Sequence, residues 1–190
     1  MTLFKDTYRI ESTRHPDWDY SSAGCYFVTI CACGSVQTRG IPSPFGEVVD
    51  CEMRLSPIGE IVRTFWLQIP NHHSHVTLDA FVVMPNHVHG IIVIGTPPPV
   101  ETRNFASLQP ANTNQFGPLK RGSLQAIIHS YKAAVTRSCN CNSETAFKWQ
   151  PRYYEHIIRT KASLNKIRAY IHSNPTNWAE DELNRENADR

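Results

Sequence analysis

The run His87-Val88-His89-Gly90-Ile91-Ile92-Val93-Ile94 constrains the fold of this 190-residue chain more than any other stretch. Strand side chains alternate between faces, so His87, His89, Ile91 and Val93 share one side while Val88, Ile92 and Ile94 share the other. A strand that is apolar on both sides is covered on both sides. The chain must therefore build layers above and below a sheet, and one of those layers must pack over two imidazoles. Two imidazoles side by side on a rigid strand make half a metal site, with a third ligand to come from elsewhere.

The remaining pattern supplies the layers. Residues 25–33 (CYFVTICAC) are rich in β-branched and aromatic side chains and read as a strand. Residues 46–55 alternate weakly and read as a short strand or hairpin. Ser56-Pro57 is a helix start, and Ile58, Ile61, Val62 and Phe65 recur at helical spacing until Pro70. A strand over 78–84 leads through a Pro85-Asn86 turn into 87–94. Leu124, Ile127, Ile128, Tyr131 and Val135 form the apolar stripe of a helix over 123–137. Residues 153–158 read as extended. Ser163 is expected to cap a last helix that ends near Asn174, because Pro175 disfavours helical geometry before it.

The order is βαββαβ with one helix appended: an α+β, ferredoxin-like antiparallel sheet. It makes a single domain with a core at about 22–178 and a Pro/Asn/Thr-rich insertion at about 96–118. The appended helix is the candidate cover for the histidine face.

Composition excludes some classes. The chain is 41% hydrophobic and 19% charged with mean hydropathy −0.38, and no apolar run approaches the ~20 residues needed to span a bilayer. Residues 1–20 carry charges of both signs and no apolar core of a signal peptide, so a cytoplasmic protein without membrane partners is expected. None of the six cysteines shows Cys-x2-Cys spacing, and reduced thiols are expected.

The net charge of +2 hides a polarised layout. Residues 118–172 hold 10 Lys/Arg against only Glu144 and Glu155, interleaved with Tyr131, Trp149, Tyr153, Tyr154 and Tyr170. That mixture suits a polyanion with exposed bases. Lys120, Arg121, Lys132, Trp149, Arg152, Tyr154, His156 and Arg159 are the candidate nucleic-acid contacts; Trp149 equally fits an anchoring role.

At 100° per residue, Leu164, Ile167 and Ile171 form one stripe of the last helix, with Tyr170 and Asn174 stacked on its flank. If the stripe packs on the sheet, these two side chains face His87 and His89. Two imidazoles and an amide oxygen leave a divalent cation with open positions for phosphate oxygens. A tyrosine hydroxyl beside it can attack phosphorus and form a covalent phosphotyrosine.

These residues resemble a family. His87-Val88-His89 is similar to the His-hydrophobic-His motif of HUH nucleases, and the ensemble resembles the single-tyrosine transposases, in particular the REP-associated branch. Four segments carry the resemblance in order: CYFVTIC at 25–31, FVVMPNHVHGIIVI at 81–94, WQPRYYEHIIR at 149–159 and IRAYIHSNP at 167–175. The resemblance implies Tyr170 as nucleophile, His87, His89 and Asn174 as metal ligands, and Mg²⁺ or Mn²⁺ as cofactor. It implies hairpin-bearing single-stranded DNA as substrate and a 5′-phosphotyrosine intermediate. The sequence leaves monomer and homodimer open, because the connection after Arg159 lets the tyrosine helix pack on its own histidine strand or on a partner's. Two features depart from it: the 96–118 stretch has no counterpart, and only about fifteen residues follow Asn-Pro, so a DNA-reading tail is expected to be short or missing. The alternatives are a non-catalytic nucleic-acid-binding module on the same fold and a small zinc hydrolase.

Overall fold

The structure is a computed structural model that describes residues 17–33, 43–96, 119–141 and 147–184, and the backbone of 3–4 and 7–8. Two short strands, β1 (Leu3–Phe4) and β2 (Thr7–Tyr8), pair with each other. The main sheet contains β3 (Gly24–Cys31), β6 (Val76–Val83), β7 (His87–Ile94) and β8 (Tyr154–Ile158), in spatial order β6-β7-β3-β8 and antiparallel throughout. This is the order a ferredoxin-like βαββαβ chain requires. Between β3 and β6 lie a hairpin of β4 (Gly46–Val49) and β5 (Glu52–Leu55), then α1 (Pro57–Leu67) and the short α2 (Ile69–His72).

The histidine strand is central and fully covered. Its even-numbered face packs under α1 and α3 (Leu124–Cys141), where Val88 and Ile92 meet Tyr26, Val28, Ile30, Trp66, Ile127 and Tyr131. Its odd-numbered face packs under α4 (Lys161–Ser173), where Ile91 joins Phe27, Ile158 and Ile171, with Leu164 and Ile167 alongside. The expected cover is therefore the observed one. Ser56 caps α1 as expected, its Oγ accepting the Gly59 N–H at 3.1 Å. The strands expected at 25–33 and 78–84 are shifted by one or two residues at their ends, and three helix boundaries also differ. Thr160, not Ser163, caps α4: its Oγ1 accepts the Ser163 N–H at 3.1 Å, and the cap lies three residues earlier than expected. The helix α3 runs on to Cys141 because buried Cys139 extends the stripe four residues beyond Val135. Pro70 does not simply end α1, since it occupies the first turn of α2, where its missing N–H costs nothing.

Gly90 sets how closely α1 approaches the sheet. A Cβ built there would lie 2.2 Å from Trp66 Cζ2, and that ring is itself wedged against Phe81 and Tyr131. Gly90→Ala should therefore destabilise the fold by about 3 kcal/mol. Urea unfolding followed by Trp fluorescence checks this, and an unchanged midpoint would show that the indole can step aside.

The expected insertion lies outside the described residues beyond Thr96, as does the chain after Asn184. None of the six cysteines forms a disulfide. No helix among the described residues is long and apolar enough to cross a membrane.

Candidate active site

His87 opens β7 beside Cys31 of β3, and His89 lies directly opposite Thr29. Their rings are 4.3 Å apart between centroids, and both are buried. Each has a hydrogen-bond partner on Nδ1. For His87 the partner fixes the tautomer. Asn86 Nδ2 donates to the Leu183 carbonyl at 2.7 Å, which turns Asn86 Oδ1 toward His87. An amide oxygen only accepts, so His87 Nδ1 donates to it, at 2.7 Å. The lone pair is then on His87 Nε2, a buried atom without a partner. For His89, Thr29 Oγ1 lies 2.8 Å from Nδ1, and Tyr170 Oη lies 3.1 Å from Nε2. With Nδ1–H donating to Thr29, Nε2 accepts from the phenol.

The helix α4 brings the other half. Asn174, at its C-terminal end, is 2% exposed. Its Nδ2 donates to Asp181 Oδ2 at 3.2 Å, which fixes the amide orientation and leaves Oδ1 buried and unpartnered. Two buried acceptors are thus orphaned, His87 Nε2 and Asn174 Oδ1, on residues that each neighbour Asp181. Each orphan costs about 1–3 kcal/mol unless something completes it. A hard-to-borderline divalent cation fits that donor set of imidazole and amide oxygen. Asp181 adds a carboxylate: one ligand atom each from His87, His89 and Asp181 lie within 4.8 Å of one another. Leu183 N–H donates to Asp181 Oδ1 at 2.7 Å and holds it there. His72, His73 and His75 form no comparable group among the described residues.

The cleft has a volume of about 920 Å³ and is lined by Phe27, Thr29, His89, Arg152, Tyr154 and Tyr170, with Asp181 on its acidic rim. Phe27 forms its wall, stacked on His89 at 5.4 Å with Tyr170 and Tyr154 edge-on. Tyr170 is half-exposed at 43%, so its hydroxyl sits at the boundary between protein and cleft. Burial and then the Asp181 carboxylate push its pKa above the usual phenol value, against an opposing contribution from Asn174. The phenol is thus protonated near neutral pH.

Burial also depresses both histidines, His89 to about 4 and His87 well below its ordinary value. Above about pH 6.5, the value of an unperturbed histidine, folded and unfolded imidazoles are both neutral. Below it the unfolded chain takes up protons that the folded rings refuse. Each histidine should then lower stability by roughly 1.4 kcal/mol per pH unit, until His89 itself titrates near pH 4. Denaturant melts from pH 7 to 4.5 measure this, and His89→Asn should flatten the slope.

The nucleic-acid candidates separate into distinct environments. Arg152 and Tyr154 line the cleft, and Tyr154 is 56% exposed. His156 and Arg159 are exposed further along β8 and just beyond it, with the Arg159 guanidinium 5.4 Å over the Trp18 ring. Arg121 is exposed at the turn before α3, and Lys120 is paired with Asp19 at 2.7 Å. Lys132 donates to the Gln150 carbonyl at 2.5 Å. Trp149 takes the anchoring alternative: it is 9% exposed and packed against Phe45, Tyr131 and Phe147. A second cleft, about 830 Å³, runs along α3 past His129, Lys132, Arg137 and Lys148 and shares Gln150 and Tyr153 with the first.

Sequence reasoning missed four contributors. Thr29 was legible as a same-face neighbour within the strand, and Asn86 sits next to the motif but reads as a turn residue. Trp178, 6.0 Å from the His87 ring, and Asp181 belong to no periodic pattern. They reach the site because the chain after α4 folds back over the start of β7.

An uncharacterized protein of Haemophilus influenzae is 36% identical over 172 residues, covering 90% of this chain and 91% of that protein. The chain belongs to that protein's family. No family model matches it. Among solved structures, the REP-associated tyrosine transposase bound to a REP hairpin shares the fold at TM-score 0.55 and 19% identity, covering 88% of this chain and 73% of that one. The α+β fold with a four-stranded antiparallel sheet expected from the sequence is thus the fold observed, and that transposase structure shares it.

Proposed function

We propose that this chain is a metal-dependent, single-strand-specific DNA endonuclease and strand transferase of the transposase type. The observation that carries the proposal is the grouping of the Tyr170 hydroxyl, His89, Asp181 and the orphaned Asn174 Oδ1 on one cleft, with the orphaned, buried His87 imidazole beside His89. The hairpin-bound transposase of the same fold supports a hairpin-bearing substrate.

His87 Nε2, His89 Nε2 and Asn174 Oδ1 would hold Mg²⁺ or Mn²⁺, with Asp181 as a further carboxylate. When bound, the cation supplies Lewis-acid polarisation of the scissile phosphate. His89 Nε2 has a single lone pair, so cation binding there and the hydrogen bond from Tyr170 exclude one another. A phenol not held on His89 would face the open side of the cleft, where its proton can pass to water. Tyr170 Oη then attacks phosphorus, forming a Tyr–O–P bond as the P–O3′ bond breaks. The departing 3′-oxygen takes a proton from water. The product is an ester, so the released 3′-hydroxyl can attack it in turn and rejoin strands without an external energy source. Tyr154 and Phe27 offer ring faces and edges for unpaired bases, and the second cleft with Arg137 and Lys148 offers a basic path for the flanking backbone.

The test is incubation with Mn²⁺ and a hairpin-bearing single-stranded DNA, followed by denaturing electrophoresis. A covalent protein–DNA adduct that disappears on chelation is the expected result. DNA binding without an adduct across a panel of hairpins would instead make the chain a non-catalytic binding module.

A further inference from the structure

The tyrosine helix has little apolar surface to hold it. Leu164, Ile167 and Ile171 meet a small cluster of Phe27, Ile91 and Ile158. Such contacts fix the distance of a helix from a sheet but define its roll weakly, because apolar burial is non-directional. Tyr170 requires a defined roll. It lies on one flank of the stripe, so a small rotation of α4 carries its hydroxyl away from His89 or into the floor of the cleft.

Arg168 lies on the opposite flank, at 100° per residue. Its Nε donates to Asp79 Oδ1 at 2.8 Å and its Nη2 to Asp79 Oδ2 at 2.6 Å. This two-point, planar contact fixes direction as well as distance. The strand β6 is shaped to supply the carboxylate. Its ladder with β7 runs Leu78 to Ile92 and resumes at Phe81 with Gly90, so Asp79 and Ala80 together oppose Ile91. The extra residue is a β-bulge, which re-aims side chains locally. It lets Leu78 and Phe81, three apart, face the α1/α3 core while Asp79 turns toward α4. Ala80 N–H donates to Asp79 Oδ1 at 2.7 Å and braces it.

We propose that the Asp79–Arg168 clamp sets the roll of α4 and thereby holds Tyr170 in attacking position, with both clamp residues acting as positioning residues. The proposal rests on Tyr170 being the nucleophile. Side-chain exposures of 40% for Arg168 and 22% for Asp79 mean that the pair adds little to global stability, so its loss should move the helix rather than unfold the domain.

The experiment uses Asp79→Asn, Arg168→Gln and the double variant. Two readouts are taken, hydrogen exchange of the α4 backbone and the rate of adduct formation at saturating single-stranded DNA with Mn²⁺. Each single variant should exchange faster along α4 and lose up to about 100-fold in adduct rate, the scale of an ångström-level misplacement. The DNA concentration for half-saturation and the thermal midpoint should stay at wild-type values. The double variant should be no worse than either single one, because one shared contact is lost only once. Multiplied single effects, or unchanged α4 exchange in the singles, would overturn the clamp. If the wild-type chain forms no adduct, the nucleophile reading fails, while the exchange data still decide whether Asp79 and Arg168 hold the helix.

Discussion

Tyr170→Phe is expected to abolish the covalent DNA adduct, with a loss on the order of 10⁴-fold or more, as befits deletion of a nucleophile. The substitution removes one oxygen and leaves the ring against Phe27, so fold and DNA affinity should be retained. It also gives a second, opposite signal. With the His89 proton on Nδ1, the phenol hydrogen bond occupies His89 Nε2 at 3.1 Å in the wild type. A cation must displace that bond, whose net value is about 0.5–1.5 kcal/mol. The variant should therefore bind Mn²⁺ a few-fold to about tenfold more tightly, as calorimetry can measure. An adduct that persists in Tyr170→Phe would transfer the chemistry to another tyrosine, and exposed Tyr154 in the same cleft is the first to test. Unchanged Mn²⁺ affinity would separate the phenol from the proposed cation site.

His87→Gln should remove Mn²⁺ binding and the adduct together. Its effect should exceed the roughly 10–100-fold loss of metal affinity that follows disturbance of a residue supporting a ligand. Asn86 provides the graded comparison. It touches no proposed ligand atom, yet its Oδ1 dictates that the His87 proton resides on Nδ1. Asn86→Ala should therefore weaken Mn²⁺ by about 10–100-fold without eliminating it. In the wild-type chain, Mn²⁺ at about 100 times its Kd should add about 2.7 kcal/mol to stability, a rise that EDTA reverses. If His87→Gln binds Mn²⁺ as the wild type does, the orphaned acceptors have some other purpose.

The parts of the architecture that sequence made legible are those encoded by short-range periodicity. Alternation along 87–94 identified which side chains share a face, and the 3.6-residue period put Tyr170 and Asn174 on one flank of the last helix. Both arrangements recur in the structure because the backbone geometry of strands and helices leaves no alternative. Boundaries were less secure: Thr160 and Ser163 are both good caps, and which of them accepts the free N–H depends on where β8 releases the chain. Trp149 illustrates the limit of composition. A tryptophan within a basic, aromatic-rich block suits either a stacking surface or a core, and only the packing of Phe45, Tyr131 and Phe147 around it decides.

By itself, then, the sequence determined that two histidines share a doubly covered strand and that a helix bearing a tyrosine and an asparagine at matching spacing was available to cover them. Tertiary structure decided the rest. It placed Tyr170 over His89 of the same chain, left His87 Nε2 and Asn174 Oδ1 without partners, brought Asp181 to them and turned Asp79 toward Arg168. Each of these depends on side chains far apart along the chain meeting within hydrogen-bonding distance. Local periodicity fixes the direction in which a side chain projects from its own element, whereas its partner is set by how the elements pack.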